Sequence, residues 1–100
     1  MTGLDLLTRH VRRSNEDDVR FADWTLNVAR CLYRLRTRTL GSKRAAVEWL
    51  TCARPDLRLP LQEAISGVAG DAAAARRCRG CFSTFVAEAC AVAAEISAAE

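Results

Sequence analysis

No run of apolar residues approaches the roughly 20 needed to cross a bilayer, because Arg, Asp or Glu interrupts each one. Membrane insertion is excluded on this reading. The N-terminus Met1-Thr2-Gly3-Leu4-Asp5 has no basic segment ahead of an apolar one, so a secretory signal is not expected and the chain is placed in the cytoplasm. Cysteine occurs five times, at Cys31, Cys52, Cys78, Cys81 and Cys90. An odd count in a reducing compartment excludes a disulfide framework. Histidine occurs once, His10 between Arg9 and Arg12, with no nucleophile or carboxylate partner in view; it reads as a packed or solvated side chain rather than a catalytic base. The Gly-rich phosphate loop, the dinucleotide fingerprint and the nucleophile elbow are all missing, which leaves no self-contained catalytic motif.

What is present is one small domain's worth of chain. One hundred residues with 50% hydrophobic and 27% charged content bury a modest core and argue against disorder. The net charge of +3 is unevenly spread: residues 1–44 hold ten Arg/Lys against five Asp/Glu (+5), and residues 45–100 five against seven (−2). The anion-seeking half is the first. Fourteen of the fifteen bases are Arg, which fits a coding bias as well as any function.

Apolar spacing reads as helix throughout and predicts an all-α fold, a compact bundle of about five helices making a single domain over 1–100. Leu4, Leu7 and Val11 mark a first helix over about 3–13, ending in the polar stretch Arg12 to Asp18. Ser14 or Asn15 would cap a second helix, with Glu16, Asp17 and Asp18 in its first turn, where the helix dipole favours carboxylates. Its core face is expected at Phe21, Trp24 or Thr25, Val28, Cys31 with Leu32, and Leu35, while Arg30, Arg34 and Arg38 recur at i+4 on another face. Gly41-Ser42 supplies a helix-ending glycine and an N-cap for a third helix, which stops before Pro55. Asp56 is expected to cap a fourth helix with Pro60 in its first turn and Gly67 and Gly70 at its end; Asp71 then caps a long Ala-rich fifth helix with Phe82, Phe85 or Val86, Ala89, Ala93 and Ile96 inward.

Three groups invite chemistry. Cys78-Arg79-Gly80-Cys81 is spaced for redox work or half a zinc site, but no strand precedes it and no second ligand pair follows, so no metal site is expected; Arg76, Arg77 and Arg79 would lower a nearby thiol's pKa. Glu16, Asp17 and Asp18 have the chemistry to hold Mg²⁺, yet need no metal as a first-turn cluster. Most informative is Arg30 with Ser42, Lys43 and Arg44. Unpaired N–H groups at a helix start attract phosphate, and Lys43 adds a point charge, so Ser42 to Ala45 reads as an anion cradle. Arg30 precedes that turn by about three helical turns, on the order of 15 Å at roughly 1.5 Å per residue, a spacing suited to an extended triphosphate rather than a single phosphate. The same bases also read as a solvated face.

The stretch Leu26-Asn27-Val28-Ala29-Arg30-Cys31-Leu32-Tyr33, then Ser42-Lys43-Arg44-Ala45-Ala46-Val47-Glu48-Trp49, then Pro55 and Pro60, resembles the C-terminal helical domain of aminoglycoside adenylyltransferases of the streptomycin and spectinomycin type. The resemblance covers residues 20–66 best and continues weakly to Phe85-Val86 and Glu95-Ile96. It implies a helical domain that packs on a nucleotidyltransferase catalytic domain, with ATP and the antibiotic bound between them. It also implies ATP phosphate contacts from Arg30 and Lys43, with Glu16, Asp17, Asp18, Asp23 and Trp24 as candidates to hold the aminoglycoside. The family's Gly-Ser motif, metal-binding carboxylates and glutamate base have no counterpart here, so no catalytic residue is assigned, and Mg-ATP is expected only with a catalytic partner. The family's turn glycine is replaced around Arg38, and Val68 or Ala69 stands where its tyrosine is expected.

Two further readings stand beside this one. A non-enzymatic helical interaction module or remnant would self-associate or bind a partner through apolar surface. Nucleic-acid binding through the basic half is weaker, since no basic recognition helix emerges and aromatic residues are sparse.

Overall fold

The computed structural model describes residues 3–99, and side chains from Glu16 to Ala99. The order is α1 (Gly3–Thr37), α2 (Lys43–Ala53), a 3₁₀ turn at Pro55–Leu57, α3 (Arg58–Val68) and α4 (Ala72–Ala99). Among the described residues there is no strand, so the all-α expectation holds. Among the described residues four α-helices stand where five were expected, because the first two are one.

The expected break between residues 13 and 15 does not occur. No glycine or proline lies between Gly3 and Gly41, and the polar stretch does not reset the helical phase: positions 4, 7, 11, 14, 18, 21, 25, 28, 32 and 35 keep one spacing of three and four. Ser14 and Asn15 therefore sit within the helix backbone rather than at its start; their side chains, with those of Leu4, Leu7, His10 and Val11, lie outside the described residues. Glu16, Asp17 and Asp18 lie mid-helix, away from any N-terminal dipole. Thirty-five residues make a rod of roughly 52 Å, most of the molecule's 59 Å long axis.

α1 ends at Arg38, which takes φ 62, the left-handed conformation that glycine adopts most easily. Gly41 is required for a different reason. A Cβ there would stand 2.4 Å from Tyr33 Cε1, so the ring packs directly on the turn backbone. Ser42 opens α2 as expected, its Oγ accepting the Ala45 N–H at 3.0 Å. Asp56 does not cap the next helix: it pairs with Arg54 inside the 3₁₀ turn, and Leu57 precedes α3 without a side-chain cap. The Asp71 N–H bonds Ser66 O and the Gly70 N–H bonds Gly67 O, a Schellman ending with Gly70 at φ 118. Asp71 then caps α4 through Ala74 N–H, as expected.

α4 advances alongside α1 in the same direction, Arg79 meeting Asp18 and Phe82 meeting Phe21 and Trp24. α3 runs back between them, antiparallel to α4, with Glu63 on Arg77 at one level and Arg54, just before the 3₁₀ turn, on Glu88 at the next. Gly67 is not a terminator. It is buried, and a Cβ on it would lie 3.0 Å from Ala75 Cα and 3.1 Å from Ala22 Cβ, so three backbones approach closely there.

The core joins Leu26, Leu32, Leu50, Leu57, Leu61, Phe85 and Val92. Of the α1 alternatives Thr25 is the buried one and Trp24 is 47% exposed; Leu32 is buried, but Cys31, expected inward with it, is exposed. Thr25 tolerates burial because its hydroxyl donates to Phe21 O at 2.8 Å. On α4 the inward set is Phe85, Ala89, Val92 and Ile96, with Ala93 only partly covered. The expectation that no segment has the length and apolarity to cross a membrane needs correction for α4. Among the described residues this helix alone does so by length and composition, since alanine and cysteine raise its mean hydropathy to 1.4 over an 18-residue window. Its Phe85, Val92 and Ile96 face packs into the bundle.

Candidate functional site

Asp23, Asn27, Arg30 and Arg34 follow one another at i+4, i+3 and i+4, which lines them up on one face of α1. That face meets the turn into α2. Lys43 Nζ donates to Asp23 Oδ1 at 2.5 Å, and Asn27 Nδ2 donates to Asp23 Oδ2 at 3.3 Å. Arg30 Nε donates to the Gly41 carbonyl at 3.2 Å. The separation of about 15 Å inferred from helical rise is therefore overturned. Arg38 turns the chain in its left-handed conformation, and residues 39–42 fold back along α1 until Gly41 reaches Arg30.

The two residues matched to ATP phosphates thus reach one turn but border different hollows. Arg30 lines one of about 250 Å³ with Asn27, Arg34 and Gly41. Arg34 and Arg38 also border another of about 410 Å³ beside Cys31. Lys43 and Arg44 border a third of about 490 Å³, whose walls are Leu26, Val47, Ile65 and Val68. Arg30 and Arg34 carry no ion pair among the described residues, whereas the Lys43 ammonium is matched by the Asp23 carboxylate. Arg44 reaches Glu48 at 3.7 Å with both side chains mostly in water, a pair worth about 0–1 kcal/mol. At the α2 start, Ser42 Oγ accepts the Ala45 N–H and Ser42 O accepts the Ala46 N–H, which leaves the Lys43 and Arg44 N–H groups as the first-turn donors that an intrahelical bond does not reach.

The five residues matched to the antibiotic do not gather. Helical geometry puts Glu16 and Asp23 on one face of α1, Asp17 and Trp24 on the next, and Asp18 on the opposite side. Glu16 is exposed, and Asp17 lies 3.9 Å from Arg20. Asp18 is buried and receives Arg79 Nη1 at 3.2 Å, an ion pair that ties α1 to α4. The Arg79 guanidinium also lies 5.8 Å from the centre of the Phe21 ring. Trp24 packs against Phe21 and Phe82 at 5.2 and 6.0 Å between ring centres, leaving half its surface to solvent.

The two cysteines of the pair differ in burial, Cys81 being only partly covered. Cys78 is buried, and desolvation pushes its thiol up to about 11, which reverses the activation expected from Arg76, Arg77 and Arg79. Cys81 Sγ donates to the Cys78 carbonyl at 3.6 Å, a contact within one helix. Among the described residues no three His, Cys, Asp or Glu side chains gather as a metal site.

Sequence reasoning missed the Asp23–Lys43 pair and the Arg30–Gly41 contact. The i+4, i+3 spacing of Asp23, Asn27 and Arg30 was the available signal, but only the fold-back at Arg38 brings Gly41 and Lys43 to that face. Comparison of the chain with family models, with curated proteins and with solved structures finds no match in any of the three.

Proposed function

We propose that this chain is a helical ATP- and aminoglycoside-binding domain of a nucleotidyltransferase, a half-site that transfers AMP to an antibiotic hydroxyl only when a catalytic domain or chain completes it. The observation that carries the reading is the convergence of Arg30 and Lys43 on the α1–α2 turn, with Arg34 extending the cationic face. Guanidinium groups without an internal acid partner are suited to polyphosphate, which they grip by charge-assisted hydrogen bonds. Their part in the transfer is to hold the triphosphate and offset charge on it. The carboxylates that hold Mg²⁺ and the general base belong to the catalytic partner. Such a role sits in the cytoplasm, where ATP is available. Among the antibiotic candidates, Glu16, Asp17 and Trp24 are the accessible ones; Asp23 serves Lys43, and Asp18 serves the α1–α4 contact.

Isothermal titration with Mg-ATP, with and without streptomycin, tests this. Arg30→Ala and Lys43→Ala are each expected to weaken binding about tenfold, the worth of one charge-assisted contact, with the helical circular dichroism unchanged. Unaltered affinity in both variants would sink the phosphate assignment. A non-enzymatic interaction module is the second reading, favoured by the apolar surface at Trp24, Leu59, Ile65 and Val68. Concentration-dependent sedimentation without any ATP heat selects it.

A further inference from the structure

A fourth hollow lies between the 3₁₀ turn, α3 and α4, and neither Arg30 nor Lys43 borders it. Its volume is about 410 Å³, within the range that holds a small organic ligand. Leu57 and Phe85 are buried where they border it, and Leu59, Pro60, Cys81 and Thr84 line the rest. Leu59 is two-thirds exposed at its edge, an apolar side chain that packing in the chain leaves in water.

The rim is charged and unequal at its two ends. At one end Glu63 and Arg77 pair at 2.8 Å, one charge against one. At the other end a single guanidinium serves two carboxylates: Arg54 Nε and Nη2 bind Asp56 at 2.9 and 2.7 Å, and the same Nη2 binds Glu88 at 2.6 Å. Two negative charges against one positive leave a surplus of −1 beside an apolar groove. The Asp56 and Glu88 side chains are 58% and 43% exposed, so both remain open to a further donor. A neutral ligand leaves that surplus unmatched, and a carboxylate ligand adds to it. A cation with an apolar body matches both features.

From this geometry we infer that the cleft between the 3₁₀ turn, α3 and α4 binds a small amphiphilic amine, its apolar body on Leu57, Leu59 and Phe85 and its ammonium group at Asp56 and Glu88. The site stands apart from the α1–α2 turn and does not depend on the nucleotide reading.

Cys81 lines the cleft, and Cys90 is exposed further along the same helix, so alkylation rates resolved by peptide mass spectrometry carry their own reference. The probe is 2-phenylethylamine, compared with 2-phenylethanol and 3-phenylpropionate. The amine is expected to slow modification of Cys81 several-fold while Cys31, Cys52 and Cys90 keep their rates, with the alcohol weaker and the acid without effect. Glu88→Gln, at a half-exposed position, is expected to raise the amine concentration needed for half-protection about three- to tenfold, the range for loss of one charged partner at a partly solvated site. Leu59→Asn, on the edge of the groove, removes apolar wall without adding charge and is expected to weaken protection by the amine and the alcohol alike. No slowing at Cys81 by the amine overturns the proposal, as does equal protection by amine, alcohol and acid. Amine protection unaltered in both variants, with unchanged circular dichroism, overturns it equally.

Discussion

Replacing Arg79 by Met leaves the buried Asp18 carboxylate without the guanidinium that faces it. The Asp18 side chain is 3% exposed and that of Arg79 is 53% exposed, so the two partners stand in different solvents. Removing the buried partner releases Arg79 to water at little expense. Removing Arg79 strands a charge in the packed junction of α1 and α4. Breaking a fully buried pair from one side costs about 3–5 kcal/mol, and with one partner half in water roughly 2–3 kcal/mol is the corresponding expectation. Loss of the guanidinium from the Phe21 ring contributes up to about 0.5–1 kcal/mol of that at an exposed site. For a domain of this size each kcal/mol moves the melting temperature by roughly 4–8 °C, so Arg79→Met should melt about 10–20 °C lower.

The decisive feature is the asymmetry. Asp18→Asn keeps the shape, removes the charge and is expected to cost under about 1 kcal/mol, and in that background Arg79→Met should also cost under about 1 kcal/mol. Urea unfolding followed by circular dichroism, with equal m-values across the four proteins, reads all three differences. Arg79→Met within about 0.5 kcal/mol of the parent, or Asp18→Asn as damaging as Arg79→Met, would refute the claim that Asp18 is a buried charge held by Arg79.

Three other expectations follow from local geometry. Arg38→Gly places glycine in the left-handed position that ends α1 and should stabilise the domain by about 0.5–1 kcal/mol in the same assay; a loss would show that what Arg38's side chain contributes outweighs its φ of 62. Gly67→Val forces methyl groups towards Ala75 Cα, 3.0 Å from the first added carbon, and should cost about 2–3 kcal/mol even after the gain in helix propensity; an unchanged midpoint would mean that α3 and α4 separate freely. Cys78, raised in the folded chain from 9.0 to about 11, ionises more readily when unfolded, so its contribution is complete below pH 9 and is lost as pH rises to about 11. The melting temperature should therefore fall across that window, by less in Cys78→Ala after allowance for the variant's lower starting point.

Much of the fold was legible because it rests on local chemistry. Ser42 and Asp71 cap the helices they were expected to cap, and Phe85, Ala89 and Ile96 face inward at the spacing that marked them. The misplaced break in α1 has one cause. A cluster of acids before an apolar run is the mark of a helix start, yet the same cluster is tolerated inside a helix when another element answers it. Arg79, 61 residues along the chain from Asp18, does so. Gly67 misled in the opposite direction: glycine near a helix end usually terminates it, and here it lets α1, α3 and α4 touch.

The site was legible as a set of residues and not as a shape. Helical rise placed Arg30 and Lys43 far apart because it assumes that the turn continues outward from α1. The turn goes back instead, and two short-range facts make it do so. Arg38 adopts φ 62 directly after the helix, and Gly41 offers the bare backbone on which Tyr33 lies. Once Gly41 is against Tyr33, its carbonyl meets the side chain of Arg30, one turn earlier on α1, and the α2 start delivers Lys43 to Asp23. The cationic face therefore depends on a glycine that carries no charge of its own. A Gly41 Cβ displaces the Tyr33 ring, withdraws the carbonyl from Arg30 and loosens the register of Lys43, so the Arg30 and Lys43 contacts and the packing of Tyr33 on Trp49 should be lost together rather than separately.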